Sequence, residues 1–379
     1  MNKPEIRFDG FSDEWEEKKY VDVSPLQRGF DLPHNMMNEG KYPVVMSNGV
    51  LYTHNKYMSK GPGVVTGRSG TIGKVHYIEG DYWPHNTSLW VTNFMGNHPK
   101  FIYYFLLKLD LLRLGTGSGV PTLNRNDVHD IQCYIPPLVQ EQVLISDFIN
   151  SIDNTIAKKL QQCEQNVNIK KAMLEKMFPK KGENMPEVRF DGFTETWEQR
   201  KLKELVTPVF REVPKPSKSY KRMSIRSHAK GTFHQMVDDP DTVAMEKLFV
   251  VHENDLVVNI TFAWEHAIAV AKKEDNGLLV SHRFPTYEMN ESDPNFIRVL
   301  VYKENFRRKM ELISPGGAGR NRVLNKNDFI QIEEIVPTFP EQNAIGNFFR
   351  SLDTLIEAQQ QELEKLQNIK NALLNKMFV

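Results

Sequence analysis

The chain has 379 residues, 40% hydrophobic and 25% charged, which allows two or three domains with real cores and argues against wholesale disorder. Its 48 basic and 48 acidic residues cancel, so net charge supplies none of the overall basic footprint expected of a nucleic-acid binder. Two cysteines, Cys133 and Cys163, lie outside any CxxC or Cys/His cluster, which excludes a disulfide framework and a structural zinc site and suits a reducing cytosol.

The longest apolar runs, such as Phe101 to Leu107, are too short to span a bilayer. The segment Met1 to Arg7 has no apolar signal core, so a cytoplasmic location without membrane contact is expected. Charge is uneven along the chain. Arg211, Lys215, Lys218, Lys221, Arg222, Arg226 and Lys230 face the single acid Glu212, and a second basic stretch runs from Arg298 to Lys326. These clusters permit DNA binding without establishing it, since a basic cluster alone is often a solvated surface.

In chain order, the first segment is Pro4-Glu5-Ile6-Arg7-Phe8-Asp9-Gly10-Phe11, followed by Trp15-Glu16. Strands bounded by Gly and Pro are expected at Tyr42 to Met46 and Val64 to Thr66, and a helix from Phe101 to Leu112. A glycine-rich loop, Gly115 to Gly119, precedes the turn Leu123-Asn124-Arg125-Asn126-Asp127. From Glu141 to Phe178, apolar residues fall at steps of three and four through Ile145, Ile149, Ile152, Ile156, Leu160 and Cys163. That is the stripe of a long amphipathic helix, about 57 Å at 1.5 Å per residue.

The same order then repeats. Pro186-Glu187-Val188-Arg189-Phe190-Asp191-Gly192-Phe193 and Trp197-Glu198 echo the start. Strands are expected at Leu256 to Ile260 and Ala267 to Ala271, a helix from Phe296 to Leu312, and a loop from Gly316 to Arg320. Leu324-Asn325-Lys326-Asn327-Asp328 repeats the turn, and residues 341 to 378 repeat the stripe through Leu352, Ile356 and Leu363. Between the matched ends the copies share faint echoes, Val64-Val65 with Val257-Val258 and Pro99 to Ile102 with Pro294 to Ile297. The period is far longer than the roughly 20–50 residues of a solenoid unit, so two related domains on one scaffold are expected.

Several residues suit DNA contact. In Gly67-Arg68-Ser69-Gly70-Thr71-Ile72-Gly73-Lys74 the glycines are misspaced for a phosphate loop and Lys74 precedes Val75. Arg68 could grip guanine, while Ser69, Thr71 and Lys74 offer hydroxyls and charge; a plain connecting loop is the other reading. Lys41, Lys56, Lys60 and Asn86 are further candidates in this half. The second half offers Lys221, Arg222 and Arg226, then Asn259, Thr261, Trp264, Glu265 and His266, then His282 and Arg283, and finally Arg320 and Arg322. Enzyme signatures are missing: Asp293-Pro294-Asn295-Phe296 lacks the second proline of an adenine-methyltransferase loop and reads as a helix start. No Walker A, Rossmann fingerprint, HExxH pair or other metal site is expected.

Two variable segments, each followed by an Asn-rich turn, a Pro-x-x-x-Glu-Gln segment and a long helix ending in Lys-Met-Phe, resemble type I restriction–modification specificity subunits, notably Gram-positive members. The resemblance covers essentially the whole chain. It implies an α+β protein with an internal pseudo-two-fold repeat: two tandem α/β target-recognition domains held apart by two antiparallel coiled-coil helices. The corresponding division is 1–20, a first reader at 21–122, turn and spacer helix at 123–185, a repeat segment at 186–202, a second reader at 203–323, and turn and helix at 324–379. The resemblance further implies a non-catalytic chain that reads a bipartite, asymmetric site in double-stranded DNA, its readers about one helical turn apart, roughly 34 Å. Two methyltransferase subunits would dock on helix surfaces near Ile149, Ile152, Ile156, Leu352, Ile356 and Leu363, and restriction–translocase subunits would add to them. This chain would bind no cofactor; S-adenosylmethionine, ATP and Mg would belong to the partners. The competing expectations are a coiled-coil scaffold joining two protein-binding modules and a stand-alone nuclease.

Overall fold

The computed structural model describes residues 3–36, 38–117, 119–314 and 322–379. The chain divides into two units, Met1–Gln162 with Gln360–Val379, and Cys163–Gln359.

In the first unit, β1 (Glu16–Lys19) leads through a single helical turn, α1 (Tyr20–Val23), into β2 (Leu26–Arg28). The hairpin β3 (Tyr42–Met46) and β4 (Gly49–His54) follows, then β5 (Gly63–Gly67), β6 (Val75–Ile78), β7 (Trp83–Pro84) and β8 (Ser88–Val91). Next come α2 (Pro99–Lys108), the small ladder β9 (Gly115–Thr116) with β10 (Thr122–Leu123), α3 (Arg125–His129), β11 (Gln132–Ile135) and the long α4 (Val139–Lys176). One sheet has the order β2-β8-β5-β6 and is antiparallel throughout; a second has the order β4-β3-β7. Strand β5 is buried along its whole length, which is why Gly-Val-Val-Thr-Gly shows no polar alternation. Strand β1 pairs with β11, tying the first repeated motif to the turn that precedes α4.

The recurring residues of the sequence are the frame of this unit. Arg7 donates to both oxygens of buried Glu141 at 2.7 and 2.8 Å, and Trp15 Nε1 donates to the same carboxylate at 3.2 Å. Gln142 donates to Asn97 and to the Pro136 carbonyl while accepting from His98 N, which fixes the start of α2. The core joins Trp15, Tyr20, Phe101 and Ile149 to Met377 and Phe378, the residues that follow the second long helix. The Phe101 and Phe378 rings stack at 5.1 Å.

The second unit repeats the plan. It contains β12 (Glu198–Lys201), α5 (Leu202–Leu205), β13 (Val206–Val209), β14 (Glu212–Pro214), the hairpin β15 (Tyr220–Ile225) and β16 (Thr232–Val237), and β17 (Lys247–Val250). There follow β18 (Leu256–Val258), β19 (Ile268–Val270), β20 (Leu279–Val280), β21 (Thr286–Met289), α6 (Pro294–Val301), α7 (Glu304–Leu312), α8 (Lys326–Phe329), β22 (Glu333–Val336) and α9 (Phe339–Lys376). The sheet β13-β21-β18-β19 matches β2-β8-β5-β6 strand for strand, so the Val257-Val258 echo of Val64-Val65 marks equivalent central strands. The other sheet, β14-β17-β20-β15-β16, adds β14 and β17 to the counterpart of β7-β3-β4. Arg189 holds Glu341 at 2.6 and 2.7 Å, as Arg7 holds Glu141. Phe178, just past the first long helix, packs against Trp197 and Phe296.

Both long helices run 38 residues. Within the first unit, Lys159 pairs with Glu362 and Lys370 with Asp153; within the second, Asn166 bonds Gln359 and Lys170 pairs with Asp353. In each unit the partner number falls as the helix number rises, so the local pairing is antiparallel. The expected stripe is only partly covered. Ile149 is fully buried, Ile356 is buried, and Ile152, Ile156, Leu352 and Leu363 are half-buried, while Phe148, Leu160, Val167, Leu355 and Ile369 are exposed.

Two expected helices break. The run 296–312 is two helices because Lys303 turns extended and caps α7, and the run 101–112 ends at Lys108 before a 3-10 turn at Leu111–Leu114. Among the described residues no helix is long and apolar enough to cross a membrane, and no cluster of His, Cys, Asp or Glu could hold a metal.

Candidate nucleic-acid interface

In the first unit, the end of β5 enters a loop in which a Cβ on Gly67 would collide with the Thr71 carbonyl, so the tight return to β6 requires glycine. Lys74 O closes that loop by accepting from Gly67 N at 3.3 Å and Thr66 Oγ1 at 2.9 Å. Arg68 N donates to Thr87 O at 2.8 Å, and Arg68 O accepts from Leu123 N at 2.8 Å. Ser69 N also donates to Thr87 O, Gly70 N donates to Pro121 O, and Ser47 N donates to Thr87 Oγ1. Four stretches therefore meet at one end of the sheet: the β5–β6 loop, the segment before β8, the turn before α3, and the tip of the β3–β4 hairpin.

The second unit builds the same junction from different residues. Ile260 N donates to Arg283 O at 3.0 Å, and Ile260 O accepts from Leu324 N at 2.8 Å. The β15–β16 tip joins through His228 N to Glu265 O and Ala229 N to His266 O. Ile260 thus stands where Arg68 stands, and Arg283 where Thr87 stands. Backbone hydrogen bonds hold both junctions, so side chains there are free to differ.

The nominated residues divide accordingly. Arg68, Ser69, Thr71 and Lys74 lie in the first junction, with Asn86 beside Thr87; the Asn86 side chain donates to Asp31, which also takes Arg28. Lys41, Lys56 and Lys60 lie near the opposite end of the β3–β4 hairpin, where Tyr42 faces His54. Along a strand of this length that is about 15 Å from the tip. Arg68, Lys74, Lys41, Lys56 and Lys60 form no ion pair among the described residues, which leaves their charge for solvent or ligand.

In the second unit, Thr261, His282 and Arg283 belong to the junction, the latter two exposed. Arg226 reaches Thr232 O at 2.6 Å and lies over Phe233, Arg222 donates to Gln235, and Lys221 is exposed further along β15. Glu265 accepts from Ser227 at 2.6 Å. Arg322 lies over the Trp264 ring and 3.7 Å from Glu311.

Three expectations need correction. His266 is buried, and its Nε2 donates to Val301 O at 2.6 Å; burial chiefly, against that bond, lowers its pKa, so it is a neutral packing residue. Asn259 is buried and uses its side-chain oxygen on Thr261 N, which shapes the loop rather than facing a ligand. Part of the basic stretch 298–326 is paired within the chain: Arg307 pairs with Glu304 and Glu311, Arg308 with Glu304, and Lys309 with Glu334. Arg211 likewise belongs to Asp255 and Glu288. Arg320 lies outside the described residues. Sequence reasoning missed Ser47 and Thr87: Thr87 takes Arg68 N and Ser69 N on its backbone oxygen and Ser47 N on its hydroxyl, and no motif marks either residue.

The fold is a duplicated frame carrying two divergent loop junctions. Residues 12–165 match the model of the type I restriction modification DNA specificity domain. The type I restriction enzyme MjaVIII specificity subunit of Methanocaldococcus jannaschii is 24% identical over 292 residues, 73% of this chain and 68% of that protein. A second protein of that archaeon, provisionally assigned as the MjaX specificity subunit, is 24% identical over 323 residues, covering 80% and 74%. In fold, the S subunit of an M. genitalium type I system superposes with a TM-score of 0.65 at 14% identity, covering 100% of this chain and 99% of that one. A chain from a structure of type I system assembly and conformational transition gives 0.51 at 13% identity, over 99% of each. The chain is thus similar to type I restriction–modification specificity subunits in its first half and across most of its length, and it has the mixed α+β fold of the solved S subunit.

Proposed function

We propose that this chain is the non-catalytic DNA reader of a type I restriction–modification enzyme. Residues 21–122 read one half of a split, asymmetric site and residues 203–323 read the other. The long helices set the spacing and dock two methyltransferase subunits. Of the residues expected at that contact, Ile152, Ile156, Leu352 and Leu363 are half-buried, while Ile149 and Ile356 are buried within this chain and are withdrawn from it. Restriction–translocase subunits add to that assembly in the cytoplasm. S-adenosylmethionine, ATP and Mg act in those partners, and this chain contributes sequence recognition.

The observation that carries this reading is the pair of loop junctions. Both share one backbone bridge, in which Arg68 or Ile260 donates to Thr87 or Arg283 and accepts from Leu123 or Leu324, yet one presents Arg68, Ser69 and Lys74 while the other presents Thr261, His282 and Arg283. A common backbone with divergent donors and acceptors is what reading two different half-sites requires. The test is co-expression with a compatible methyltransferase subunit in a methylation-free host, followed by genome-wide mapping of modified adenines. One split motif that needs both chains supports the proposal. Stable co-purification without any modified adenine sinks it and favours a protein scaffold.

A further inference from the structure

The two copies keep a set of cations at matching positions, and nearly all are consumed internally. Arg7 and Arg189 hold Glu141 and Glu341. Lys170 and Lys370 hold Asp353 and Asp153, and Lys176 and Lys376 hold Glu187 and Glu5. Lys18 and Arg200 pair with Glu16 and Glu204; Lys19 pairs with Asp130, although Lys201 has no such partner. Arg125 and Lys326 differ from all of these. Both are exposed, and among the described residues neither forms an ion pair or a side-chain hydrogen bond in either copy.

Their placement is equally specific. Each follows by two residues the leucine, Leu123 or Leu324, whose N–H closes the loop junction. Leu123 and Val128 are buried on either side of Arg125, and Leu324 and Phe329 on either side of Lys326. The intervening turn is locked by the Asn124 side chain accepting from Asn126 N at 3.0 Å, and by Asn325 accepting from Asn327 N at 2.9 Å. Asp127 and Asp328 lie two residues on, a spacing at which helical side chains do not face each other. Each cation is thus held at a fixed place beside variable loops and has no internal use.

We infer that Arg125 and Lys326 are a matched pair of phosphate contacts, one per reader, that seat each junction on the DNA backbone without reading bases. A role common to both copies must be blind to the half-site, and the sugar–phosphate backbone is the part of DNA both half-sites share. The inference rests on the DNA-reading function proposed above.

The test uses the full chain assembled with its methyltransferase partner, titrated against a duplex carrying its methylated motif over about 50–200 mM salt. Arg125→Gln and Lys326→Gln should each reduce the slope of log affinity against log salt by about 0.9, and the double variant by about 1.8. The methylated motif should stay the same, Arg125→Lys should keep the slope, and thermal midpoints should not move. An unchanged slope in the double variant overturns the inference, as does a motif altered at a base position. A collapse of the midpoint overturns it too, since it would reveal an internal structural role. Wild-type complex that ignores DNA would instead sink the reading function itself.

Discussion

Arg7 and Glu141, far apart in sequence, meet through two parallel hydrogen bonds of 2.7 and 2.8 Å around a carboxylate with no exposed side-chain surface. Arg189 and Glu341 form the same pair in the second unit. This relationship explains why Arg-Phe-Asp-Gly-Phe and Glu-Gln recur together: they are the two halves of one clamp.

Removing one partner leaves the other buried and unpaired. Arg7→Ala should therefore destabilise the first unit by about 3–5 kcal/mol, since Glu141 would keep only the Trp15 indole. Calorimetric unfolding of wild type and variant measures this. A loss below about 1 kcal/mol would show that water replaces the guanidinium.

Phe178 follows the first long helix, yet its ring lies 5.8 Å from Trp197 and 5.7 Å from Phe296 in the second unit. Phe178→Ala should cost about 3–5 kcal/mol there. Hydrogen exchange should accelerate in β12 and α6 while β5 and α2 stay protected. Uniform acceleration across the chain would contradict this assignment.

Burial pushes the Lys303 ammonium down to about 8, against an upward pull from Glu334, while Lys309 presses it further down. Below about pH 8 both states carry the charge and the fold bears its burial cost. Between about 8 and 10.5 the unfolded chain keeps a proton that the native state has shed, so stability rises with pH. Relative to Lys303→Met, the wild type should gain on the order of 3 kcal/mol across that window. Denaturation midpoints at several pH values report it, and a constant difference between the two proteins would count against it.

Arg68 and Arg283 occupy opposite sides of equivalent junctions, and neither has an ion pair among the described residues. Arg68→Ala should lose about 1–3 kcal/mol of discrimination at a base in one half-site, and Arg283→Ala at a base in the other. Arg68→Lys should not restore it, because lysine lacks the planar fork. Equal weakening on all sequences would make these residues phosphate contacts. The measurement is the methylated motif of each variant complex.

Much of the frame was legible because it is periodic and duplicated. The apolar steps at 141–178 and 341–378 mark helices that run 139–176 and 339–376. The Val-Val echoes mark the buried central strands, where burial on both faces restricts the residue type. The site was harder to read. His266 looked like a ligand-facing imidazole until the Val301 carbonyl, 35 residues further on, claimed it. Of the acids that take the cations at 307–309, Glu304 and Glu311 are sequence neighbours on the same helix, whereas Glu334 reaches Lys309 only once the chain has folded. Thr87 gave no signal because its backbone oxygen, which any residue carries, accepts from Arg68 N.

On the proposed function, the two structurally equivalent junctions read two independent half-sites. The most direct measurement is the adenine-methylation motif of a chimera in which residues 203–323 come from a divergent family member. One half of the split motif should change while the other half and the spacer stay fixed. A motif that changes in both halves, or in neither while the complex remains active, would contradict it.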